Sequence, residues 1–365
     1  MNVERLNVIA IALSRELEES KVTEKLKQLV AVMQQGVAKA DRANEKAVFN
    51  ALREVKQAVL DAASDNFKPA WRQLVEEIGA STILGRGLIA TIEPIVARYP
   101  LSRPGALKEI GVISDRLAQL QSALKEAKSC LRVLKIGEES LDPNGCEISV
   151  LIPRNAVSNC LSELAIELKE IGFILNTFSE MATGSRDPLK IRSVASCDFQ
   201  ISLDAALPWA VATAVCIERI VTLYKQTLEI RKIQSELKKQ GIAKEVASGI
   251  EDHANDKMAE GIETIAIEVV DKYGCVVDGG RRNELTNAMR ISLAKLATRI
   301  DRGYNFEVRV ERVRESGEDG KLGEKQEQAF ATIGSAAQSM QYIKSDGPAI
   351  LSLPEANEEK SNNKS

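Results

Sequence analysis

The stretch Glu147–Pro153, EISVLIP, decides the fold class, because it is the first strand-like pattern in a chain that is helical in character up to that point. It is short and rich in Ile, Val and Leu, and the turn-forming tetrapeptide DPNG precedes it at 142–145. A short apolar run that follows a turn signal is typical of a buried strand. The sequence therefore predicts strands as well as helices from this point on.

Further strands are predicted downstream of this first one, which lies near 146–153. They are expected near residues 173–178, 189–195, 199–203 and 304–313. In 189–195 and 199–203 apolar residues alternate with polar ones, which is typical of strands with one buried and one solvated face. The segment before 173–178 reads as a helix that Gly172 ends. This order predicts a small mixed or antiparallel sheet backed by helices.

The chain before this region is predicted to be helical throughout. Residues such as Leu26, Val30 and Met33 follow helical spacing, and Lys, Glu and Gln lie opposite their apolar stripe. We therefore expect a helix-dominated α+β fold in which a small sheet packs on long helices. Its expected parts are a helical bundle region at 1–133, an α+β region at 134–313, and a linker with a largely disordered tail at 314–365.

The composition argues against nucleic-acid binding. The 365 residues include 49 basic and 52 acidic ones, so the formal net charge is −3 and no long-range field attracts polyanions. Aromatic residues make up only 4% of the chain, which leaves few rings on which bases stack. We expect no nucleic-acid partner and a core built mainly from aliphatic side chains.

Cysteine usage and the N-terminal sequence favour a reducing, cytoplasmic location. None of the six cysteines forms a CxxC pair, and their wide spacing does not resemble a disulfide framework. We expect most of them to be small buried apolar residues. The apolar run Val8–Leu13 is too short for a secretory signal, and the run Ala205–Ile217 is too short for a stable membrane span.

The segment MATGSRDP at 181–188 is the best candidate for a ligand-binding loop. Thr183 and Ser185 supply hydroxyls, the glycine between them permits a positive φ, and Arg186 supplies a cation. Such a loop beside a strand can present backbone N–H groups to an anion. Arg192, on the next predicted strand, is the fourth candidate residue. An ordinary connection between strands explains the same residues.

A second candidate segment, GGRR at 279–282, opens a predicted helix whose N-terminus can hold an anion. The alternative is a hinge followed by an exposed basic pair. Neither segment matches GxxxxGK[ST], and no GxGxxG motif follows a predicted strand. The sequence therefore predicts no cofactor.

The single histidine, His253, is the residue on which any histidine-dependent chemistry must rest. On a helix it shares a face with Asp256, and Asp252 faces Asp256 as well. Zinc-binding spacings are absent, and no serine or cysteine lies in a nucleophile-elbow sequence. We therefore predict a solvated polar helix face here, with no catalytic residue and no metal site. An enzyme that relies on carboxylates alone stays open.

Long amphipathic helices provide the leading functional hypothesis. In the predicted helix Leu107–Leu134, apolar residues approximate a heptad stripe at Ile110, Ile113, Leu117, Leu120 and Leu124. Such a stripe forms either a coiled-coil seam or a packing surface within the chain. A second long helix, Pro208–Gln240, has a highly charged end. We expect a non-catalytic interaction or assembly protein, with a sheet domain that can sense a ligand, that binds a protein partner or forms a homo-oligomer.

Two other functions stay open. The first is small-molecule or anion binding, or an enzyme, that uses the 183–187 loop with Arg192 or Arg281. The second is a membrane-perturbing protein that exposes Ser81–Ala97 or Ala205–Ile217 after a trigger. Burial of both apolar segments as core helices is the alternative to the second function.

Overall fold

The computed structural model describes residues 3–38, 42–99, 103–137, 139–142, 144–195, 199–239, 244–275, 278–311, 324–340, 351 and 353. The chain divides into two compact units, unit 1 at Met1–Ser140 and unit 2 at Leu141–Ser365. The sequence placed this boundary after residue 133. Helices dominate the described residues, and the strands among them form a four-stranded sheet in unit 2. The predicted helix-dominated α+β class is confirmed.

Unit 1 is helical throughout its described part. Its α-helices are α1 (Val3–Ser20), α2 (Val22–Ala38), α3 (Arg42–Ala58), α4 (Pro69–Glu77), α5 (Gly85–Arg98) and α6 (Arg103–Val133). Helices α1 and α2 pack on α6, and α3 packs on α2. Their apolar stripes meet in one core, to which Leu13, Leu26, Val55, Leu88 and Leu117 contribute fully buried side chains.

Polar contacts hold the segment after α6 against the start of α1. The Arg5 guanidinium donates two hydrogen bonds to the Glu139 carboxylate, at 2.8 and 2.7 Å, and both side chains are largely buried. The Asn7 amide donates to the carbonyls of Ile136 and Gly137. Because paired charges and satisfied amides tolerate burial, these bonds fix both ends of unit 1 to each other.

Unit 2 surrounds its sheet with long helices. Its elements are β1 (Cys146–Ile152), α7 (Leu161–Thr183), β2 (Lys190–Ala195), β3 (Phe199–Ala205), α8 (Leu207–Lys239), α9 (Lys244–Tyr273), α10 (Gly279–Asp301), β4 (Asn305–Val310) and α11 (Glu324–Ser339). Helix α8 packs on α7, α9, α10 and α11. It is therefore the central helix of the unit.

The sheet is antiparallel, and its strand order is β2-β3-β1-β4. Strand β1 lies between β3 and β4, where Ile148 pairs with Leu203 on one side and with Val308 on the other. All seven residues of β1 are buried, so both faces of this central strand are covered. Its residues alternate between a helix-covered apolar face and an opposite face that is polar.

Strand β2, at one edge of the sheet, contains a bulge. Ile191 pairs with Leu203 and Ser193 with Ser202, so Arg192 is an extra residue on this strand. The bulge places Ile191 and Val194, three positions apart, on the side of the sheet that the helices cover elsewhere. Both residues are nevertheless exposed, because the helical layer does not extend over this edge.

The strand predicted near 173–178 is wrong, because these residues lie inside α7. Gly172 does not end the helix. A glycine in a helix interior costs only about 1 kcal/mol, which burial of Ile174, Leu175 and Phe178 in the core outweighs. The helix ends instead at Gly184, which has a φ of 78° and donates its N–H to the Glu180 carbonyl.

The tail predicted at 314–365 also needs correction, because 324–339 forms α11. Phe330, Ile333 and Ala336 recur every three residues and are buried against α8 and β4. Beyond this helix, Met340, Leu351 and Leu353 belong to the described residues and pack in the core of unit 2. The rest of the predicted linker and tail lies outside the described residues.

Candidate functional site

The two predicted anion-binding segments lie side by side, at the C-terminal end of α7 and the N-terminal end of α10. Glu180, in the last turn of α7, accepts a hydrogen bond of 2.5 Å from Arg186 Nε and pairs through its other oxygen with Arg281. Burial acts to raise the pKa of Glu180, but the two guanidinium groups outweigh it and hold the pKa below its ordinary value. Carboxylates of the same chain therefore pair with both arginines of this Glu180 cluster, since Glu284 provides Arg281 with a second carboxylate at 2.8 Å.

The other polar groups of these segments also have partners within the chain. The Thr183 hydroxyl donates to a carbonyl one turn back in α7, at 2.8 Å, and the Ser185 hydroxyl donates to Asp187 at 3.1 Å. Asp278 caps α10, and its carboxylate accepts the backbone N–H of Arg281 at 2.9 Å. A bound anion would have to displace these carboxylates, so the anion-binding hypothesis for this loop loses support.

Arg192 belongs to a different ion-pair network from Arg186. On β2, its guanidinium donates to Asp204 of β3 at 3.1 Å and lies 3.7 Å from Glu147 of β1. Arg309 of β4 approaches Glu147 from the other side, at 2.8 and 3.0 Å. Glu147 thus connects β1 to both neighbouring sides of the sheet.

Two hydroxyls extend this Glu147 network along the polar face of the sheet. Ser149 donates to Glu147 at 3.0 Å, and its oxygen lies 2.7 Å from that of Ser202. A hydroxyl beside a carboxylate is an arrangement that general-base catalysis uses. Here Glu147, Ser149 and Ser202 are fully buried, and arginine binds the carboxylate. The geometry is suited to holding strands in register rather than to reacting with a substrate.

The histidine segment shows no assembled site. His253 and Asp256 are both exposed on α9, as expected for a solvated helix face. Among the residues that the structure describes, no group of three His, Cys, Asp or Glu side chains is arranged to hold a metal ion. The side chain of Asp252 lies outside the described part.

A cavity of about 370 Å³ opens where the first turns of α8 and α11 meet the end of α9. Leu207, Pro208, Val211, Tyr273 and Ala329 give it apolar walls, and Lys325 lies at its edge. Its volume is at the lower end of the range for small-molecule sites. No residue of the 183–187 loop is among the residues that line it.

Helix α8 carries the most apolar segment of the described residues. Its part Leu207–Glu229 is long and apolar enough to cross a membrane. Of the 18-residue apolar stretch within it, 67% is buried in the structure. A buried core helix passes the same test of length and composition. The second candidate segment, Ser81–Ala97, forms the end of a turn and most of α5, whose Leu88 and Ile92 are fully buried.

The described cysteines fall into two groups. Cys146 and Cys216 are buried, and burial raises the pKa of their thiols to about 11 and about 12. Cys130, Cys160 and Cys275 are exposed, so the expectation that most cysteines are buried is wrong for these three. Cys160 precedes α7, where hydrogen bonds from Ser162 and from the first N–H groups of the helix lower its thiol pKa.

We expect Cys160 to be alkylated several-fold faster than Cys130 at pH 7, because the thiolate is the reacting species. Cys146 and Cys216 should react only after unfolding. Iodoacetamide labelling followed by peptide mass spectrometry measures each site separately. Replacement of Cys160 by serine should remove the fast phase alone. Equal rates at Cys160 and Cys130 would contradict the assigned hydrogen bonding at the helix start.

The apolar stripe predicted on α6 is buried within unit 1. Ile110, Ile113, Leu117 and Leu124 all face the core formed with α1, α2 and α5. Packing within the chain, the alternative to a coiled-coil seam, therefore accounts for this stripe. The charged part of the helix at 230–239 has no described side chains, so the expectation of a partner surface there lies outside the described residues.

An exposed apolar surface lies instead on the first half of α7. Of its large side chains, Leu161 is 81% exposed, Ile166 63%, Leu168 38% and Phe173 36%. Consecutive residues are about 100° apart around a helix axis, so the exposed apolar residues in this half of α7 cover an arc of roughly 160°. We define the outer face of α7 by the residues Leu161, Ser162, Ala165, Ile166, Leu168, Lys169, Gly172 and Phe173.

Comparison of this chain with known protein families, with curated proteins and with solved structures finds no match. The function has to be argued from the site itself.

Sequence reasoning missed both the Glu147 network and the outer face of α7. The alternation Glu147, Ile148, Ser149, Val150 was a signal for the first, since it indicates two different faces of one strand. No comparable signal existed for the second. An apolar stripe on a helix has the same spacing whether it faces a core or a partner.

Proposed function

We propose that this chain is a non-catalytic interaction protein that docks an amphipathic helix of a partner protein on the outer face of α7. The observation that carries the proposal is the apolar character of a helix side that faces solvent. Solvent-facing helix sides are ordinarily polar, and a helix that is apolar on every side is ordinarily buried. The first half of α7 has core residues on one side and apolar residues on the other.

The apolar side chains of this surface supply part of the energy of docking. The exposed fractions of Leu161, Ile166, Leu168 and Phe173 together equal about two fully exposed large side chains. Burial of two such side chains contributes roughly 3–6 kcal/mol before the entropic costs of association. A micromolar complex needs about 8 kcal/mol after those costs, so contacts around these four side chains have to supply the rest.

The edge of the sheet is a weaker docking surface than α7. Ile191 and Val194 are exposed on β2, but the bulge at Arg192 interrupts the row of backbone groups that a new strand would bind. Lys190 adds a charge at the same edge. Bulges and lysines are the devices by which proteins prevent edge pairing, so we place the docked element on α7.

The chemistry elsewhere in the described chain is consistent with a non-catalytic role. Carboxylates neutralise Arg186, Arg192 and Arg281, and the hydroxyls of the Glu147 network are buried. A cytoplasmic location is part of the proposal, because the described cysteines are free thiols rather than disulfides.

The test is a binding titration with a fluorescein-labelled, leucine-rich amphipathic helical peptide of about 20 residues. We expect the full chain to raise its fluorescence anisotropy, with a dissociation constant in the micromolar range. The double substitution Leu161→Ser/Leu168→Ser should weaken binding at least about tenfold, because it removes the most exposed apolar side chain of the face and a second leucine beside it.

The matched control is Val112→Ser, which removes an exposed apolar side chain from α6 in unit 1. Binding should be unchanged in this variant. Equal weakening by both sets of substitutions, or none by either, would show that the peptide does not dock on α7 and would remove the basis of the proposal.

A further inference from the structure

We infer that the partner is a helix that carries a carboxylate opposite Lys169 and that packs closely over Gly172, and that it is not a second copy of α7. This inference rests on the proposed docking function of the outer face of α7. It adds the charge and the shape that the partner has to present.

Lys169 is the charged residue of this face, and Ser162 is its other polar residue. Lys169 is exposed and forms no salt bridge with any residue that the structure describes. Leu161, Ala165 and Gly172 form one row along this face of the helix, and Ile166 and Phe173 form a second row. Viewed down the helix axis, Lys169 lies between the two rows. A partner that covers these two rows also covers the Lys169 ammonium. Removal of an ammonium from water is unfavourable unless the partner pairs with it, so a carboxylate opposite Lys169 is required.

A second α7 does not provide this carboxylate. The acidic side chains nearby are Glu163, Glu167 and Glu170. Glu167 is buried and binds Arg299 of α10 and Arg302, the residue after that helix. Glu170 pairs with Lys295 at 2.6 Å, and Glu163 lies about 120° round the helix from Lys169. Two outer faces brought together would place one Lys169 near the other without an acid between them. The charges therefore favour a heterologous partner.

Gly172 indicates the shape that the partner has to present. A Cβ atom added at Gly172 meets nothing within 4 Å, so no described neighbour explains a glycine in the middle of a 23-residue helix. At Gly261 of α9 the reason is internal, because Leu223 lies 2.5 Å from the position of an added Cβ, whereas Gly111 of α6 has surroundings as open as those of Gly172. By rotation Gly172 and Ala165 lie between Leu161 and Lys169, where their small size leaves room for a groove at the surface. A partner side chain or backbone can enter this groove.

The experiment uses three versions of the labelled amphipathic peptide, which differ at one position beside the leucine stripe, where Glu, Gln or Lys is placed. We expect the wild-type chain to bind the Glu peptide about tenfold more tightly than the Lys peptide at low salt. The substitution Lys169→Glu should reverse this order. The solution mass of the wild-type chain, measured by light scattering, should remain that of a monomer.

The substitution Gly172→Ala separates docking from folding. It should raise the melting temperature of unit 2 by about 2–4 °C, because alanine favours the helix and the added Cβ has open space. It should at the same time weaken all three peptides about fivefold. The matched control is Gly111→Ala in α6, where an added Cβ also meets nothing within 4 Å. This control should stabilise unit 1 and leave binding unchanged.

The outcomes distinguish this inference from the proposed function. Binding that depends on Leu161 and Leu168 but shows no charge preference, or is unaffected by Gly172→Ala, overturns the inference and leaves the docking function in place. Wild-type dimers that Leu161→Ser/Leu168→Ser dissociates overturn it as well, because the partner is then a second copy. Absence of any dependence on Leu161 and Leu168 overturns both.

Discussion

Replacement of Glu147 by alanine is expected to lower the free energy of unfolding of unit 2 by about 3–5 kcal/mol. Glu147 is fully buried, and it binds Arg309 at 2.8 Å on one side while Arg192 lies 3.7 Å away on the other. Its loss leaves the largely buried guanidinium of Arg309 without this counter-charge and removes the acceptor of Ser149. Urea unfolding followed by circular dichroism at pH 7 measures the change.

Two variants show whether the charge is responsible. Glu147→Gln keeps the shape and an acceptor for Ser149, so it should lose less stability than Glu147→Ala, about 1–3 kcal/mol. The double substitution Glu147→Leu/Arg309→Leu removes both charges and should recover a large part of the loss, because an apolar pair of similar volume tolerates burial. A loss below about 1 kcal/mol for Glu147→Ala would mean that this network does not hold the strands together.

The architecture of unit 2 was predictable where periodicity and turn signals agreed. Strand β1 follows the DPNG turn, and β2 and β3 overlap the segments predicted near 189–195 and 199–203. The strand predicted near 173–178 was wrong because a short run after a glycine, with four apolar residues among six, has no period that separates strand from helix. Only the burial of Ile174 and Phe178 in the folded unit favours the helix over a strand here, and that burial is not visible in the sequence.

The candidate site was far less predictable than the fold. The sequence indicated that Arg186 and Arg281 each stood in a segment suited to anions, but not that Glu180 lies between them. Glu180 is 101 positions from Arg281 in the chain, so only the folded arrangement of α7 and α10 reveals the neutralisation. The stripe on α6 and the outer face of α7 have similar periodicity. Their opposite exposure follows from which neighbours surround each helix.

The contacts of Asp301 explain why Leu351, which follows α11 in the chain, belongs to the folded unit. Asp301 is the last residue of α10 and is completely buried, although an acidic group is ordinarily unfavourable at a helix C-terminus. It accepts the Tyr224 hydroxyl of α8 at 2.9 Å and the backbone N–H of Leu351 at 2.7 Å. One carboxylate thus joins the central helix, α10 and the segment that follows α11.

Substitution of Asp301 by alanine is expected to destabilise unit 2 by about 2–4 kcal/mol, because two buried donors lose a charged acceptor. Tyr224→Phe removes one of these bonds and should lose about 1–1.5 kcal/mol, so the difference between the variants reports the bond from Leu351. Urea unfolding gives both values, and limited trypsin digestion should cut Asp301→Ala faster beyond α11 than it cuts Tyr224→Phe. Equal stability and equal digestion of the two variants would show that Leu351 is not held by Asp301. The C-terminal segment would then owe its position to apolar packing of Leu351 and Leu353 alone.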